Sequence, residues 1–381
     1  MKIEKVEIRQ VELPLLACFE TSFGRQEVRK ALIIGLHSEG IDGYGEVVAF
    51  GFPGYSYETL GTALHVIKDF LIPIANKGDW DTPEDLSDRF EAVKGHPMAK
   101  AGFEGAVWDL YGKQQRQPLV DLIGGVKKKI GTGVSIGIQD SVPKLVELIE
   151  GYLEEKYQRI KVKIKPNWDL EILREIRKRF PDILLMADAN SAYTLSDTGL
   201  FKEMEDLGLM MIEQPLSHDD IIDHATLQRE LKTPICLDES ILNPDDARKA
   251  HELGSCKIIN IKVGRVGGLT RAIRLHNICT DLGLPVWCGG MLETGIGRAQ
   301  NLALAALPNF TIPGDTSASK RYFAEDVIDT PAVINPDGTI DVPTGPGIGV
   351  NPDIEMMDKY TTFKQVITIS DLLLPTFDLC Y

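Results

Sequence analysis

The chain reads RIKVKI at residues 159–164, LLMADAN at 184–190, MMIEQP at 210–215, PICLDES at 234–240 and IINIKVG at 258–264. Each of these five apolar runs has the length of a buried β-strand, and each carries charge at its end. The interval between successive runs, about 25 residues, leaves room for one helix and two loops, as in a repeating β/α unit. Near-continuous apolar strands indicate a parallel sheet whose two faces are both covered by helices.

The charged residues at the strand ends follow the same interval. Asp188, Glu213 and Asp238 are 25 residues apart, and Lys262 follows 24 residues after Asp238. Lys161 and Lys163 lie on the preceding run. In an eight-stranded (β/α) barrel the carboxyl ends of the strands converge on one mouth, where active sites lie. The sequence therefore predicts three carboxylates in a row around a mouth, with lysines on either side.

We expect an α/β fold, in which a TIM-type (β/α) barrel carries an α+β capping domain. Residues 126–320 are assigned to the barrel, and residues 1–125, completed by the C-terminal tail at about 321–381, to the capping domain. The N-terminal runs at 2–13, 31–40 and 41–50 alternate apolar and polar residues around glycine turns, which is typical of an antiparallel meander. Eight barrel strands are predicted, at 131–138, 159–164, 184–190, 210–215, 234–240, 258–264, 285–291 and 310–315.

Bulk composition excludes several classes of protein. Of 381 residues, 43% are apolar and 25% charged, as in an ordinary globular protein. The net charge of −15 argues against a nucleic-acid partner, since phosphate contacts need clustered Lys and Arg. The sequence contains no run of 18 apolar residues, so no membrane span is predicted. None of the six cysteines forms a CxxC pair, so we expect reduced, mostly buried thiols in a cytoplasmic protein: Cys18, Cys236, Cys256, Cys279, Cys288 and Cys380.

Three carboxylates from consecutive strands form an all-oxygen donor set. Such a set suits Mg²⁺, with Mn²⁺ as the next choice, whereas Zn²⁺ prefers thiolate and imidazole. Asn190 and Glu239 lie beside the predicted ligands and are expected to orient them. A single acid in this position would be an ordinary strand-end residue, but three at even spacing favour a metal site.

The lysines are candidate acid–base groups. Lys161 and Lys163 stand two apart on a strand and share a face, so burial and the neighbouring cation are expected to lower their pKa values. A lysine with a lowered pKa can act as a general base. Lys165 has the same phase, but Pro166 ends the strand, so Lys165 is expected to face solvent. Lys262 is predicted across the mouth from Lys161 and Lys163, and the nearby cation of Arg265 is expected to lower the pKa of Lys262.

Two stretches rich in glycine and aromatic residues are candidate covers for a substrate. The first, residues 17–26, contains Phe19 and Phe23 and is expected to be a mobile loop. The second, residues 50–57, contains Tyr55. The alternative is that both are plain surface connections, although functional loops are often carried on rigid scaffolds.

Taken together, several motifs resemble the enolase superfamily in its muconate-lactonising subgroup, and in particular the o-succinylbenzoate synthase / N-acylamino acid racemase family. The motifs are KVK at 161–163, DANSAY at 188–193, EQP at 213–215, LDES at 237–240, IKVGRVGG at 261–268 and WCGGMLETGIGRA at 287–299. The resemblance extends from residue 1 to about 365 and does not cover the apolar tail beyond about 367, for which the sequence offers no physical account.

This resemblance implies a set of roles. Asp188, Glu213 and Asp238 would bind Mg²⁺, and Lys163 and Lys262 would form the acid–base pair, with Lys161 in support. It also implies that the 19–25 loop and the turn of Gly289, Gly290 and Met291 shape the substrate pocket, with Ser135 near the acyl end.

The activity implied is dehydration of a cyclohexadiene carboxylate to o-succinylbenzoate, a step of menaquinone biosynthesis. The alternative is racemisation of N-succinylamino acids, or both activities, since both substrates carry a carboxylate and a succinyl arm. A non-catalytic metal-binding barrel is the alternative of another class. The expected partner is a small carboxylate with a succinyl arm, and barrels of this type often form homo-oligomers.

Overall fold

The computed structural model describes residues 2–371. Its strands are β1 (Lys5–Thr21), β2 (Gly24–Ser38), β3 (Ile41–Val47), β4 (Lys129–Gly131), β5 (Gly133–Ile136), β6 (Arg159–Lys163), β7 (Leu184–Asp188), β8 (Ile212–Glu213), β9 (Ile235–Leu237), β10 (Ile258–Ile261), β11 (Val286–Cys288), β12 (Thr339–Asp341) and β13 (Thr361–Thr368).

The α-helices are α1 (Leu60–Val66), α2 (Ile72–Asn76), α3 (Pro83–Phe90), α4 (Pro97–Gln115), α5 (Leu119–Leu122), α6 (Val142–Glu154), α7 (Leu170–Arg179), α8 (Thr198–Met204), α9 (Ile222–Glu230), α10 (Pro244–Leu253), α11 (Val263–Val266), α12 (Leu269–Asp281), α13 (Gly295–Ala305) and α14 (Ile354–Tyr360). A π-helical turn, Ile67–Leu71, joins α1 to α2, and four short 3-10 turns are Leu195–Asp197, Glu205–Leu207, Ser319–Arg321 and Ile369–Asp371. Among the helices formed by residues 2–371, none combines the length and apolar character that crossing a membrane requires.

A four-stranded antiparallel sheet forms the N-terminal part, in the order β13-β1-β2-β3. Strand β13 pairs with β1 from Lys5↔Thr368 to Val11↔Thr361, so the start of the apolar tail is a sheet strand. The rest of that tail, residues 372–381, lies outside the described residues. The predicted domain boundaries, near residues 125 and 320, stay predictions.

The expected loop at residues 17–26 is instead a β-hairpin. Strands β1 and β2 remain paired at Phe19↔Gln26 and Thr21↔Gly24, which leaves only a tight turn between them. The prediction of a loop was wrong because the glycine and aromatic content hid an extended strand. The register breaks between Pro14 and Phe19, where proline cannot donate to the ladder.

Seven parallel strands, β5 to β11, form the second sheet in chain order, which confirms the predicted α/β architecture. The first predicted barrel strand is interrupted, because β4 pairs with β12 and only β5 joins the parallel sheet. The prediction of a regular eighth strand at residues 310–315 was wrong. This segment makes single bridges, Phe310 to Val286 on one side and Gly314 to Thr132 on the other. Pro313 has no N–H, so a continuous ladder cannot form there.

Helix α4 joins the two sheets. Nearly all of its residues are buried, from Pro97 to Gly112. On one side a Cβ at Gly45 of β3 would lie 2.2 Å from the carbonyl oxygen of Gly102, so only glycine permits this approach. On the other side, Gly105 packs against Gln300 of α13. The helix therefore fixes the N-terminal sheet against the barrel helices.

The cysteines are free thiols, as predicted, throughout the described residues. Four are buried and Cys18 is half-buried. Burial raises the pKa of Cys256 and Cys279 to about 12, so these thiols are neutral and unreactive at ordinary pH. Cys380 lies outside the described residues.

Candidate active site

The three predicted metal ligands lie side by side at the carboxyl ends of adjacent strands. Asp188 ends β7 and is in register with Glu213, which ends β8, and Asp238 follows directly after β9. All three side chains have no exposed surface. Burial, and then the charge of Asp188, raise the pKa of Glu213 well above its ordinary value.

Lysines 161 and 163 point from β6 into this cluster. The Lys161 amine lies 3.1 Å from Glu213 Oε2, 3.3 Å from Asp188 Oδ2 and 2.6 Å from Asp315 Oδ2. The Lys163 amine donates to Asp188 Oδ2 at 2.5 Å and to Asn190 Oδ1 at 2.6 Å. The period-two prediction that both lysines share a face is therefore correct.

Lys262 follows β10 and reaches the cluster from another direction. Its amine donates to Asp238 Oδ2 at 2.7 Å and to the Tyr55 hydroxyl at 3.2 Å. The Tyr55 hydroxyl in turn donates to Asp238 Oδ1 at 2.9 Å. Strands β6 and β10 are four positions apart in the sheet order, separated by the three strands that bring the carboxylates.

Arg265 lies one helical turn beyond Lys262. Its guanidinium contacts Asp238 and donates to the carbonyl oxygens of Ile241, at 2.8 Å, and Asn260, at 2.5 Å. Arg265 is thus bound to the same carboxylate as Lys262.

The pKa values of Lys161 and Lys262 differ from the prediction. Burial acts to lower the pKa of Lys161, but Asp315, Glu213 and Asp188 together raise it above its ordinary value. Burial also acts to lower the pKa of Lys262, but the charges of Asp238, Tyr55 and Glu213 outweigh burial and raise this pKa above its ordinary value. The expectation of lowered values was wrong for these two lysines, because each amine is paired with the predicted metal ligands.

Asn190 and Glu239 link the two sides of the cluster. The Asn190 backbone N–H donates to Asp188 Oδ1 at 3.1 Å, and its side-chain amide donates to Glu239 Oε1 at 2.9 Å. Glu239 Oε2 is buried and has no hydrogen-bond partner among the described residues. Burial, and then the charge of Asp238, raise the pKa of Glu239 to about 7. Both residues therefore contact the predicted ligands or their partners.

The donor set fits a hard divalent cation by its chemistry. The three predicted ligands are buried carboxyl groups at the ends of neighbouring strands, and buried anions need a counter-charge. Within residues 2–371, no three His, Cys, Asp or Glu side chains are arranged as a ready-made metal cage. Lysine amines supply the counter-charge to these carboxylates instead.

A cavity of about 50 Å³ lies above the lysine amines. Six of the predicted substrate-binding residues line it: Phe19, Phe23, Tyr55, Ser135, Gly290 and Met291. Gly289 does not, because its backbone N–H donates to Ile261 and its Cα packs against the Asn260 side chain. The predicted pocket residues thus come together with that one exception.

Thr21, Gln26 and Phe50, which also line the cavity, lie within the two candidate stretches, whereas the sequence analysis missed Leu292, Asp315 and Tyr322. Asp315 joins Lys161 to Arg159, whose guanidinium lies 2.7 Å from the other Asp315 oxygen. Asp315 ends the predicted eighth strand, so the rule that identified the other acids applies to it as well. Tyr322 carries no comparable signal, since it follows a loop.

Comparison with known proteins gives consistent matches along the chain. Residues 3–124 match the family described as mandelate racemase / muconate lactonizing enzyme, N-terminal domain, and residues 144–356 match the family described as enolase C-terminal domain-like. The chain is 53% identical over 367 residues to an o-succinylbenzoate synthase of Geobacillus stearothermophilus, covering 96% of this chain and 98% of that protein. It is 46% identical over 365 residues to an N-succinylamino acid racemase of an Amycolatopsis species, covering 96% and 99%. A crystal structure of an enolase superfamily member from Listeria innocua superposes with a TM-score of 0.93 at 45% identity, covering 97% of this chain and 100% of that one.

Proposed function

The chain belongs to the enolase superfamily, and from this membership together with the site geometry we propose that it is an o-succinylbenzoate synthase. The reaction is the dehydration of a cyclohexadiene carboxylate that carries a hydroxyl group and a succinyl arm. The observation that carries the proposal is the pair of amines, Lys163 and Lys262, that line one cavity from strands four positions apart.

Lys163 acts as the base in this proposal. Its amine removes the proton from the carbon next to the substrate carboxylate, and the electron pair moves into the carboxylate to form an enolate. Collapse of the enolate expels the hydroxyl group, which takes the proton from the Lys163 ammonium and leaves as water. Lys163 suits this role because it contacts one carboxylate, whereas Lys161 contacts three.

Lys262 remains an ammonium during dehydration and stabilises the enolate from the opposite side. Its contacts with Asp238 and Tyr55 fix the position of the amine. A fixed cation at the point where negative charge develops lowers the barrier more than a mobile one.

We assign Asp188, Glu213 and Asp238 as ligands of Mg²⁺, with Mn²⁺ as a second possible ion. When bound, the cation supplies positive charge to the substrate carboxylate as the enolate forms. The all-oxygen donor set supports this assignment over Zn²⁺. Asn190 and Glu239 hold the ligand side chains in place.

The succinyl arm is proposed to lie against the aromatic part of the cavity, formed by Phe19, Phe23 and Phe50. Ser135 is the polar group available to the acyl end, since its hydroxyl is buried without a hydrogen-bond partner in the described residues. A buried hydroxyl without a partner is costly, and a carbonyl oxygen of the ligand would satisfy it.

Racemisation of N-succinylamino acids is the second candidate, alone or beside dehydration. It is favoured by the 46% identity to the Amycolatopsis racemase and by the two amines in one cavity, which this reaction needs as alternating acid and base. The two substrates share a carboxylate and a succinyl arm, so one cavity suits both.

A side-by-side assay of the two substrates in Mg²⁺ tests the proposal. Dehydration of the cyclohexadiene substrate is expected as the faster reaction, measured by the absorbance of the product ring. Inversion of an N-succinylamino acid without dehydration would replace the proposal by the racemase. If the protein binds Mg²⁺ but turns over neither substrate, it is a non-catalytic metal-binding barrel.

We further propose that the protein is cytoplasmic and forms a homo-oligomer. Strand β13 is at an edge of its sheet, and Phe363 and Val366 are exposed on it. Exposed edges of this kind are often covered by another chain.

A further inference from the structure

Helix α12 begins without a capping side chain of its own. The residue before it is Gly268, which has no side chain to accept a hydrogen bond. The cap comes instead from Glu104 of α4, which accepts from the backbone N–H of Leu269 at 2.6 Å and of Thr270 at 2.9 Å. Glu104 has no exposed surface, and Trp108 also donates to it at 3.2 Å.

A short hydrogen-bonded turn connects Lys262 to the start of α12. Five residues lie between Lys262 and Gly268, and four of them form the single turn α11. The Val266 N–H donates to the Lys262 carbonyl oxygen at 3.1 Å, and the Gly268 N–H donates to that of Val263 at 3.0 Å. A shift at residue 268 is therefore transmitted to the backbone of Lys262.

Close packing leaves this turn little freedom on the side facing α4. A Cβ at Gly268, where φ is +127°, would lie 2.1 Å from Glu104 Oε2. A Cβ at Gly264 would lie 2.2 Å from Val48. The turn is thus held by Val48, which follows β3, and by Glu104 of α4.

We propose that Glu104 is a positioning residue for Lys262: by holding the N-terminus of α12, it fixes the turn from which the Lys262 amine reaches the cavity. The inference rests on the proposed function, in which Lys262 faces the reacting carbon from the side opposite Lys163. Loss of the Glu104 cap should therefore slow proton transfer only on the side of the reacting carbon that faces Lys262.

The test uses Glu104→Gln, which keeps the side-chain shape but turns an N–H₂ group toward one of the two backbone N–H groups. The measurement is the exchange of the α-proton of each enantiomer of an N-succinylamino acid in D₂O with Mg²⁺, followed by NMR. The enantiomer served by Lys262 is the one whose exchange Lys262→Arg abolishes. Its exchange rate should fall by about 10- to 100-fold in E104Q, since a misplacement of about 1 Å costs on the order of 100-fold. The rate of the other enantiomer should fall far less.

The matched control is Glu58→Gln. Glu58 is also buried and also caps a helix, accepting from the backbone N–H groups of Met98 at 2.7 Å and Ala99 at 2.8 Å, but that helix is α4. The ratio of the two exchange rates should be unchanged in E58Q. In metal-free E104Q, peptides covering residues 262–270 should also exchange their amide hydrogens faster than in the wild type, as seen by mass spectrometry.

A different result would overturn the inference. Equal losses for both enantiomers in E104Q would make Glu104 a general structural residue. If E104Q does not fold, Gly268→Ala disturbs the same contact from the other side and must show the same one-sided loss. Wild-type protein that dehydrates but exchanges neither enantiomer would also contradict the inference, whereas protein that does neither would contradict the proposed function itself.

Discussion

Two lysines on one strand have different surroundings. Lys161 contacts three carboxylates and lies 4.8 Å from the centre of the Trp287 ring, whereas Lys163 contacts Asp188 and Asn190. An ammonium held by three anions loses its proton reluctantly. We therefore propose the amine with fewer anionic partners, that of Lys163, as the base.

Lys163→Ala should abolish dehydration, with kcat reduced by a factor on the order of 10⁴, because general acid–base groups typically contribute 10²- to 10⁴-fold and Lys163 serves in both steps. Steady-state kinetics with the cyclohexadiene substrate measures this. Lys165→Ala is the matched control, since the Lys165 amine pairs with Glu20 at 3.1 Å and its side chain is 40% exposed. Near-normal dehydration by K163A would remove Lys163 as the base.

Lys262→Arg should reduce racemisation more than dehydration. Arginine keeps the positive charge near Asp238 and Tyr55, but it does not give up a proton in a protein. Dehydration needs only the charge, so we expect a loss of about 10-fold there and of about 10³-fold or more in inversion of an N-succinylamino acid. Equal losses in the two assays would contradict this division of roles.

At the scale of strands and helices, charge at strand ends was the most informative signal. Asp188, Glu213, Asp238 and Lys262 follow from a fixed interval, because each β/α unit has nearly the same length. Lysine pKa values did not follow, since they depend on which carboxylates meet which amines across strands. Asp315 was missed although it ends the predicted strand at 310–315, so the same signal could have found it.

The hairpin at residues 17–26 shows a second limit. Glycine and aromatic residues indicated a loop, yet β1 and β2 stay paired through this stretch. The pairing of Phe19 with Gln26 depends on how the two strands face each other, which the composition of one stretch does not record. Its residues Phe19 and Phe23 nevertheless line the cavity, because the hairpin reaches it.

Buried helix-capping glutamates should make stability depend on pH. Burial raises the pKa of Glu58 from 4.5 to about 7, so the folded protein holds this proton more tightly than the unfolded chain. The resulting stabilisation is fully present below pH 4.5 and is lost as the pH rises through about 7. The free energy of unfolding of wild type relative to E58Q should therefore fall by about 1 to 3 kcal/mol between pH 5 and pH 8.

Denaturant unfolding of both proteins at several pH values measures that difference. The comparison with E58Q cancels the titration of all other groups that the substitution leaves undisturbed. If the free energy of unfolding of wild type relative to E58Q instead rises with pH, the hydrogen bonds from the two backbone N–H groups, and not burial, determine the pKa of Glu58.

At the scale of the whole molecule, the proposed metal site predicts that Mg²⁺ binds the folded protein and not the unfolded chain. Mg²⁺ should therefore raise the melting temperature, because a ligand that binds only the folded state stabilises it. At a concentration 100 times the dissociation constant, the gain is about 2.7 kcal/mol. Calorimetric titration and thermal denaturation measure binding and stabilisation.

Asp238→Asn is the matched variant, since it keeps the shape of the ligand and removes its charge. Mg²⁺ should bind it more weakly, and the gain in melting temperature should shrink. An unchanged titration curve would exclude Asp238 from the ligand set and leave Lys262 and Arg265 as its structural partners.

The central claim is that Lys163 and Lys262 face each other across a substrate bound above one cation. A crystal structure of the protein with Mg²⁺ and o-succinylbenzoate tests it most directly. We expect one cation with oxygens of Asp188, Glu213 and Asp238 at about 2.1 Å, and the two amines on opposite sides of the ligand. A cation bound elsewhere, or both amines on the same side of the ligand, would contradict the account.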